Sequence, residues 1–291
     1  MYFGSCALGA PAGGLEPAFV DHRGGADPDA LRRRLAELRP EVVVVFRPEI
    51  VAPGLFDDLE ALTLGFSTEP LPRDGAPHPD QLVRLGELEE VDPTQFDRVV
   101  TFDPLSAAAA DAFVPVWRSL ALPVDDRLFA PVGPWGRPPQ VLFVGYATEH
   151  RERFLLDAKH EFDLLHVAWG LHGDALRARF ARSDIALNVH HSAYPSFENR
   201  VLLHLAAGHL VLSEPLSPLH GLRPGVDLLE VRTPEELRRV IRGVRDAPDG
   251  FDAIRRHGRR SAERFRASRV WPRLIGDLVR DVRVFGGRAR S

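Results

Sequence analysis

The chain has 291 residues, 44% hydrophobic and 27% charged, with a formal net charge of −4. Such a length buries one large core or two domains of about 130 residues each, and the acidic balance argues against a broadly basic surface for polymeric nucleic acid. Cys6 is the only cysteine, which excludes an intramolecular disulfide and a thiolate metal cluster and makes a reducing, cytoplasmic setting the expectation. No apolar run approaches the ~20 residues needed to span a bilayer, and no charged segment followed by an apolar one opens the chain, so any membrane contact would be peripheral.

In chain order, Tyr2–Phe3 and Ala18–Asp21 read as short strands, and Pro28–Leu38 as a helix with Asp27 at its N-cap and Pro28 at its first position. Glu41–Phe46 carries four consecutive valines, a pattern suited to a parallel strand covered on both faces. Leu62–Phe66 and Arg98–Phe102 repeat it, each running at once into polar residues before a proline, Ser67-Thr68-Glu69 in one case and Asp103 in the other. Ser106 is placed to cap a helix reaching Phe113, and Leu120–Leu122 to close a first sheet. The segment Phe129–Gln140 (FAPVGPWGRPPQ) has the composition of an interdomain linker.

A second round of alternation follows. Val141–Gly145 and Phe162–Ala168 read as strands, Leu171–Ala181 as a helix, and Ile185–Val189 and Leu210–Leu212 as strands flanking a helix of roughly ten residues that stops at Gly208. Gly225–Val231 is a further strand. Thr233, Pro234 and Glu236 start a helix through a capping box, and Phe251–Phe265 and Val270–Val284 are amphipathic helices. In a parallel sheet ligands collect where strands give way to loops at the carboxyl edge. The loop after Ile185–Val189 is accordingly the first place to look, and it holds His190, His191, Ser192, Tyr194, Ser196, Glu198, Asn199 and Arg200. Backbone N–H groups at the following helix start, with Arg200 in its first turn, suit an anion, unless Arg200 merely pairs with Glu198. Gly145 and Tyr146 follow a strand in the same way, and Gly145 allows close approach of backbone to a phosphate that Arg151 or Arg153 could reach, unless this is a tight turn with two solvated arginines. The run around Gly145 lacks G-x-G-x-x-G, which argues against a dinucleotide site, and Gly65–Glu69 fails the nucleophile-elbow pattern. Adjacent His190 and His191 face opposite ways on extended backbone, so no metal site is expected from them.

Four stretches, FVGYATEHRERF (143–154), SFENRVLLHLAAGHLVLSE (196–214), GVDLLEVRTPEELRRVI (225–241) and IRRHGRRSAERFRAS (254–268), together resemble the donor-binding half of GT-B glycosyltransferases of the group 1, family 4 type, in particular their CgeB-like, spore-maturation branch. EVVVVFRPEI, LGFSTEPLPR and RVVTFDPLS followed by LALPVDDRLF are similar to the acceptor-side half of that branch. The resemblance implies an α/β chain of two doubly wound, Rossmann-like domains facing a cleft. Residues 1–135 would form the acceptor-side domain and 136–291 the nucleotide-sugar-binding domain, its last helices crossing back to the first.

By the same resemblance a sugar passes from a nucleoside diphosphate sugar to a glycan, lipid or small-molecule acceptor. No metal or other cofactor is required, and configuration is retained. Donor contacts would come from Gly145, Tyr146, Arg151, His190, His191, Ser196, Glu198, Asn199 and Arg200. Gly13 and Gly14 resemble the glycine-rich acceptor loop, or form a turn. Glu69 and Asp103 are candidate catalytic carboxylates, or caps of the turns before Pro70 and Pro104. The family's ribose-binding carboxylate falls, on alignment through Arg200 and Gly208, at Leu203, with His204 and Glu198 as substitutes nearby. That departure keeps a second reading open, a catalytically silent GT-B-like protein that binds a nucleotide or glycan or serves as a partner subunit. A sugar-nucleotide epimerase on the related scaffold is a third.

Overall fold

The computed structural model describes residues 6–23, 26–73, 77–171 and 173–288, so the expected strand at Tyr2–Phe3 lies outside the described residues. Two parallel sheets account for the strands. One has the order β1 (Val42–Phe46), β2 (Leu62–Ser67), β3 (Arg98–Thr101), β4 (Val116–Ser119). The other comprises β5 (Val141–Val144), β6 (Leu164–Val167), β7 (Ile185–Asn188), β8 (Leu210–Ser213) and β9 (Leu229–Glu230), in the order β6-β5-β7-β8-β9. Every pairing in both sheets is parallel.

The first unit of the chain joins the residues up to Pro17 to Pro123–Val270, and the second joins Ala18–Leu122 to the chain from Trp271 on. The division expected at 135/136 is therefore displaced, and backbone hydrogen bonds give the reason. Val124 N–H donates to Phe265 O at 2.8 Å, Ala267 N–H returns to Val124 O at 2.8 Å, and Asp125 N–H donates to Cys6 O at 2.7 Å. The proline-rich stretch is likewise not a linker but a packed strap. Trp135 Nε1 donates to Asp252 at 2.8 Å, Gly136 and Gln140 donate backbone N–H to Asp184, and Ala130 N–H reaches Ala206 O.

Helix α1 (Pro28–Leu38) forms with Asp27 accepting from Asp29 N–H at 2.9 Å. Leu31 and Leu35 from α1 pack with Val45, Phe56, Phe96 and Val99 in the core of its unit. Helix α2 (Pro79–Glu89) has no counterpart among the sequence expectations; its signal was Pro79 at the first position and a reciprocal cap between His78 and Gln81. The expected strand at Ala18–Asp21 does not form, and the one expected at Leu120–Leu122 falls earlier, at β4. Strand β1 lies at the edge of the described sheet, half-buried rather than covered on both faces. Helix α3 (Ala107–Asp111) follows Ser106 as expected but stops two residues before Phe113, and Ser106 turns its hydroxyl to Asp103 O and supplies no cap.

In the other unit β5, β7 and β8 are buried along their whole lengths. Phe143, Ile185, Leu187, Leu210 and Leu212 meet Phe154 and Leu155 of α4 (Glu149–Glu161) and Ile241 and Val244 of α7 (Pro234–Asp246). Between these helices lie α5 (Gly173–Phe180) and α6 (Arg200–Ala206). Gly208 takes φ +81° after α6, as its helix-stop reading requires. The strand expected over Gly225–Val231 contracts to β9 because Gly225, at φ +78°, turns the chain and donates to Leu228 O. At α7, Thr233 accepts from Glu236 N–H, whereas Glu236 returns to Arg232 N–H, one residue outside a strict capping box. Helices α8 (Asp252–Ala262) and α9 (Ala267–Phe285) close the chain. From Trp271 onward α9 belongs to the unit of β1–β4, where Trp271 meets Phe46 and Phe66 edge-on with ring centroids 6.2 and 6.5 Å away.

Candidate functional site

In the five-stranded sheet the chain leaves β5 for β6 on one side and then crosses to β7 on the other, so the loops after β5 and β7 diverge at a topological switch point. Two arginines converge there. A Cβ built on Gly145, the first residue past β5, would lie 3.3 Å from Arg151 Nη1 and 3.4 Å from Arg200 Cζ. Arg151 is buried in the first turn of α4, where its Nε donates to Val189 O and His190 O at 3.0 and 3.1 Å and its Nη1 to Tyr146 O at 3.1 Å. Arg200 Nη1 donates to the same Val189 O at 3.1 Å. Glu198 lies between the two guanidiniums, 2.9 Å from Arg200 Nη2 and 3.4 Å from Arg151 Nη2.

Two cations thus share one carboxylate. Burial, and then the charge of Arg200, push the Arg151 guanidinium down to about 10. Burial alone would raise the Glu198 carboxyl, but Arg200 and Arg151 outweigh it and hold Glu198 below the ordinary carboxylate range. An anion with several oxygens entering beside Gly145 would relieve the like-charge contact and accept directed N–H donors from both forks. The helix contributes less than its sequence promised. α6 has only seven residues, and the N–H groups of Val201 and Leu202 are already taken by Glu198 O and Asn199 O.

The remaining donor-side candidates divide by what they touch. His190 is buried: its backbone N–H donates to Glu214 at 2.7 Å, its Nε2 lies 2.9 Å from Pro215 O, and its Nδ1 lies 3.2 Å from Ser196 Oγ. A carbonyl can only accept, so Nε2 carries the proton and Nδ1 accepts from Ser196, which commits both side chains to the fold. His191 is half-buried and its carbonyl accepts from Thr148 Oγ1 at 2.8 Å. Asn199 makes no cap, and its buried Oδ1 has no hydrogen-bond partner. Tyr146 is exposed. Leu203 is buried, and the neighbouring substitute His204 is wholly buried, with its Nδ1 3.0 Å from His209 Nδ1. Sequence reasoning did not select Glu214 or His150, whose Nε2 lies 2.9 and 3.0 Å from the two Glu214 oxygens at the same sheet edge. The available signal was a carboxylate standing two residues after the apolar run Leu210–Leu212.

Of the acceptor-side candidates, Glu69 and Asp103 belong to the unit of β1–β4. Glu69 is ion-paired to Arg84, with Arg47 3.8 Å away. Asp103 is fully buried, caps the turn at Leu105 N–H at 2.8 Å and takes the guanidinium of Arg73 at 2.9 and 3.0 Å. Asp103 thus caps the turn before Pro104, whereas Glu69 is held by an ion pair. Gly13 and Gly14, at φ +59° and +81°, form a tight exposed turn closed by paired backbone bonds between Ala12 and Leu15. They belong to the unit of β5–β9, not to that of Glu69 and Asp103.

The His204–His209 pair makes the helix carrying Arg200 acid-sensitive. Burial lowers both, His204 well below the ordinary histidine value and His209 to about 4, and the charges of Arg200 and Arg255 add to it. Below about pH 6.5 the unfolded chain therefore binds protons that the folded chain refuses, and stability falls from its neutral plateau as pH drops toward 4. With each unit of depression worth about 1.4 kcal/mol, His209 alone removes on the order of 3 kcal/mol. Melting curves at pH 7.5 and 4.5 should differ by several degrees, and the difference should shrink in His209→Gln; an equal slope in that variant would exclude the pair as its source.

Residues 148–274 match the model of a family described as glycosyl transferase-like. No curated protein matches the chain in sequence. Among solved structures, sucrose-phosphate synthase from Thermosynechococcus elongatus is 14% identical with a TM-score of 0.58, over 88% of this chain and 77% of that one. HepE of Anabaena, solved with UDP and glucose, is 11% identical with a TM-score of 0.59, over 87% and 82%. A glycosyltransferase from Rickettsia africae is 9% identical with a TM-score of 0.56, over 90% and 85%. At such identities the likeness is one of fold, and the fold, two parallel α/β sheets with alternating helices, is that of GT-B glycosyltransferases.

Proposed function

We propose that the chain is a glycosyltransferase of the group 1, family 4 type, in its CgeB-like branch, which moves a sugar from a nucleoside diphosphate sugar to a glycan, lipid or small-molecule acceptor without a metal and with retention. The observation that carries this reading is the convergence of Arg151 and Arg200 on Gly145 with one carboxylate, Glu198, between them. Negative charge grows on the diphosphate as the glycosidic bond to it breaks. Two guanidiniums already held by Val189 O, His190 O and Tyr146 O can stabilise that charge with little reorganisation. The fold likeness to HepE, solved with UDP-glucose, supports the same ligand class. The Glu69 and Asp103 carboxylates, as paired and capped as they are, support positioning of their own loops more than proton transfer.

A second reading, a silent nucleotide-binding relative, is favoured by one feature. The position aligned with the family's ribose carboxylate is the buried Leu203, and His204 beside it is committed to His209. Calorimetric titration with UDP-, GDP- and dTDP-sugars, followed by an assay for slow donor hydrolysis, separates the two. Binding with turnover is the expected result. Binding without turnover selects the silent reading, and no binding of any member removes both.

A further inference from the structure

Two large aromatic side chains stand in solvent, one of them on the residue whose backbone carbonyl accepts from Arg151. Trp169 is 74% exposed and Tyr146 55% exposed, and their ring centroids lie 6.3 Å apart at an interplanar angle of 50°. Leaving so much aromatic surface in water is costly, because each such ring can bury 150–250 Å². Their placement is fixed by neighbouring strands. Tyr146 follows Gly145 at the end of β5, and Trp169 stands two residues past β6, whose Val167 is in register with Val144. Gly145 is pinned from both directions: its N–H donates to Val167 O at 2.9 Å, and its carbonyl accepts from His166 Nε2 at 2.8 Å. Arg151 Nη1 then donates to Tyr146 O at 3.1 Å, so the aromatic pair and the anion cluster meet at one peptide.

We propose that Tyr146 and Trp169 form the stacking platform for the base of the nucleotide whose diphosphate Arg151 and Arg200 receive. The inference rests on the function proposed above and adds the group that recognises the nucleoside. Every base presents a π-face, so a platform of this kind accepts several bases and adds affinity without reading their edges. The diphosphate would lie against Gly145 and the guanidiniums, and the base would turn toward β6 to cover the Trp169 ring.

Calorimetry with UDP, ADP and inorganic pyrophosphate, on the full chain and on Trp169→Ala, Tyr146→Ala and Trp169→Phe, tests this. Stacking on an aromatic side chain is worth roughly a 5- to 150-fold change in affinity per base. Trp169→Ala should therefore weaken UDP and ADP by that factor and leave pyrophosphate unchanged, while Trp169→Phe retains most of the affinity. Nucleotide binding should also quench tryptophan fluorescence in the parent chain and lose that signal in Trp169→Phe. Unchanged UDP and ADP affinity in Trp169→Ala overturns the platform and leaves the diphosphate reading standing. An equal loss of pyrophosphate affinity would mean that Trp169 only supports its loop. A loss seen with UDP-glucose but not with UDP would assign the rings to the sugar and overturn the proposal as well. If the parent chain binds neither nucleotide nor pyrophosphate, the anion site itself has failed and the platform fails with it.

Discussion

Arg200→Ala should weaken binding of UDP or another nucleoside diphosphate about a hundredfold, on the order of 3 kcal/mol for a lost charge-assisted fork. The fold should tolerate the change, because Arg151 keeps its bonds to Val189 O and His190 O and retains Glu198 as its counter-ion. The same electrostatics give Glu198 the opposite sign. Glu198→Gln removes the carboxylate that competes with an incoming phosphate, so pyrophosphate affinity should rise several-fold while the melting temperature drops, the two guanidiniums having lost their shared partner. Calorimetry and thermal melts on the two variants read both effects. Equal nucleotide affinity in Arg200→Ala and the parent would detach Arg200 from the site.

Gly258→Ala should remove at least about 3 kcal/mol of stability and leave little folded protein. A Cβ at that position in α8 would lie 2.6 Å from Leu205 Cδ2 on α6, and in hard overlap with the Asp227 carbonyl oxygen. The backbone cannot yield cheaply, because the Asp227 carboxylate is already tied to Arg223 N–H and Ser261 Oγ, both at 2.8 Å. Gly276→Ala in α9 is the matched control: its Cβ meets only Arg280 Nη1, at 4.0 Å, so exchanging a helical glycine should be neutral or stabilise by up to about 1 kcal/mol. Chemical denaturation compares the pair, and a Gly258→Ala midpoint equal to the parent's would mean that α8 is not seated on α6 this closely.

What the sequence made legible is what local chemistry controls. The β7–α6–β8 unit follows from the apolar runs Ile185–Leu187 and Leu210–Leu212 and from a glycine at φ +81°. Asp27 and Thr233 mark helix starts because a cap acts within three residues. Long-range partners stayed hidden. The proline-rich stretch looked like a linker because composition reports backbone stiffness, whereas its attachment comes from Asp184, more than forty residues further on. Asp103 looked available as a base until Arg73, thirty residues earlier, took its carboxylate. Glu214 and His150 are 64 residues apart in sequence, and only the parallel order of β5, β7 and β8 brings them to one edge. Arg151, Glu198 and Arg200 were individually visible, but the sharing of a single carboxylate between two cations is a property of packing.

The passage of α9 from one unit into the other bears on how the molecule can be taken apart. Phe46 and Phe66 lie in the chain's first quarter, yet the indole that covers them arrives from Trp271, after the entire five-stranded sheet has been made. Any fragment cut at the apparent domain junction would strand these rings without their lid. Dissection therefore calls for a graft of the terminal helix onto the β1–β4 half, or for a permuted chain, rather than a simple truncation.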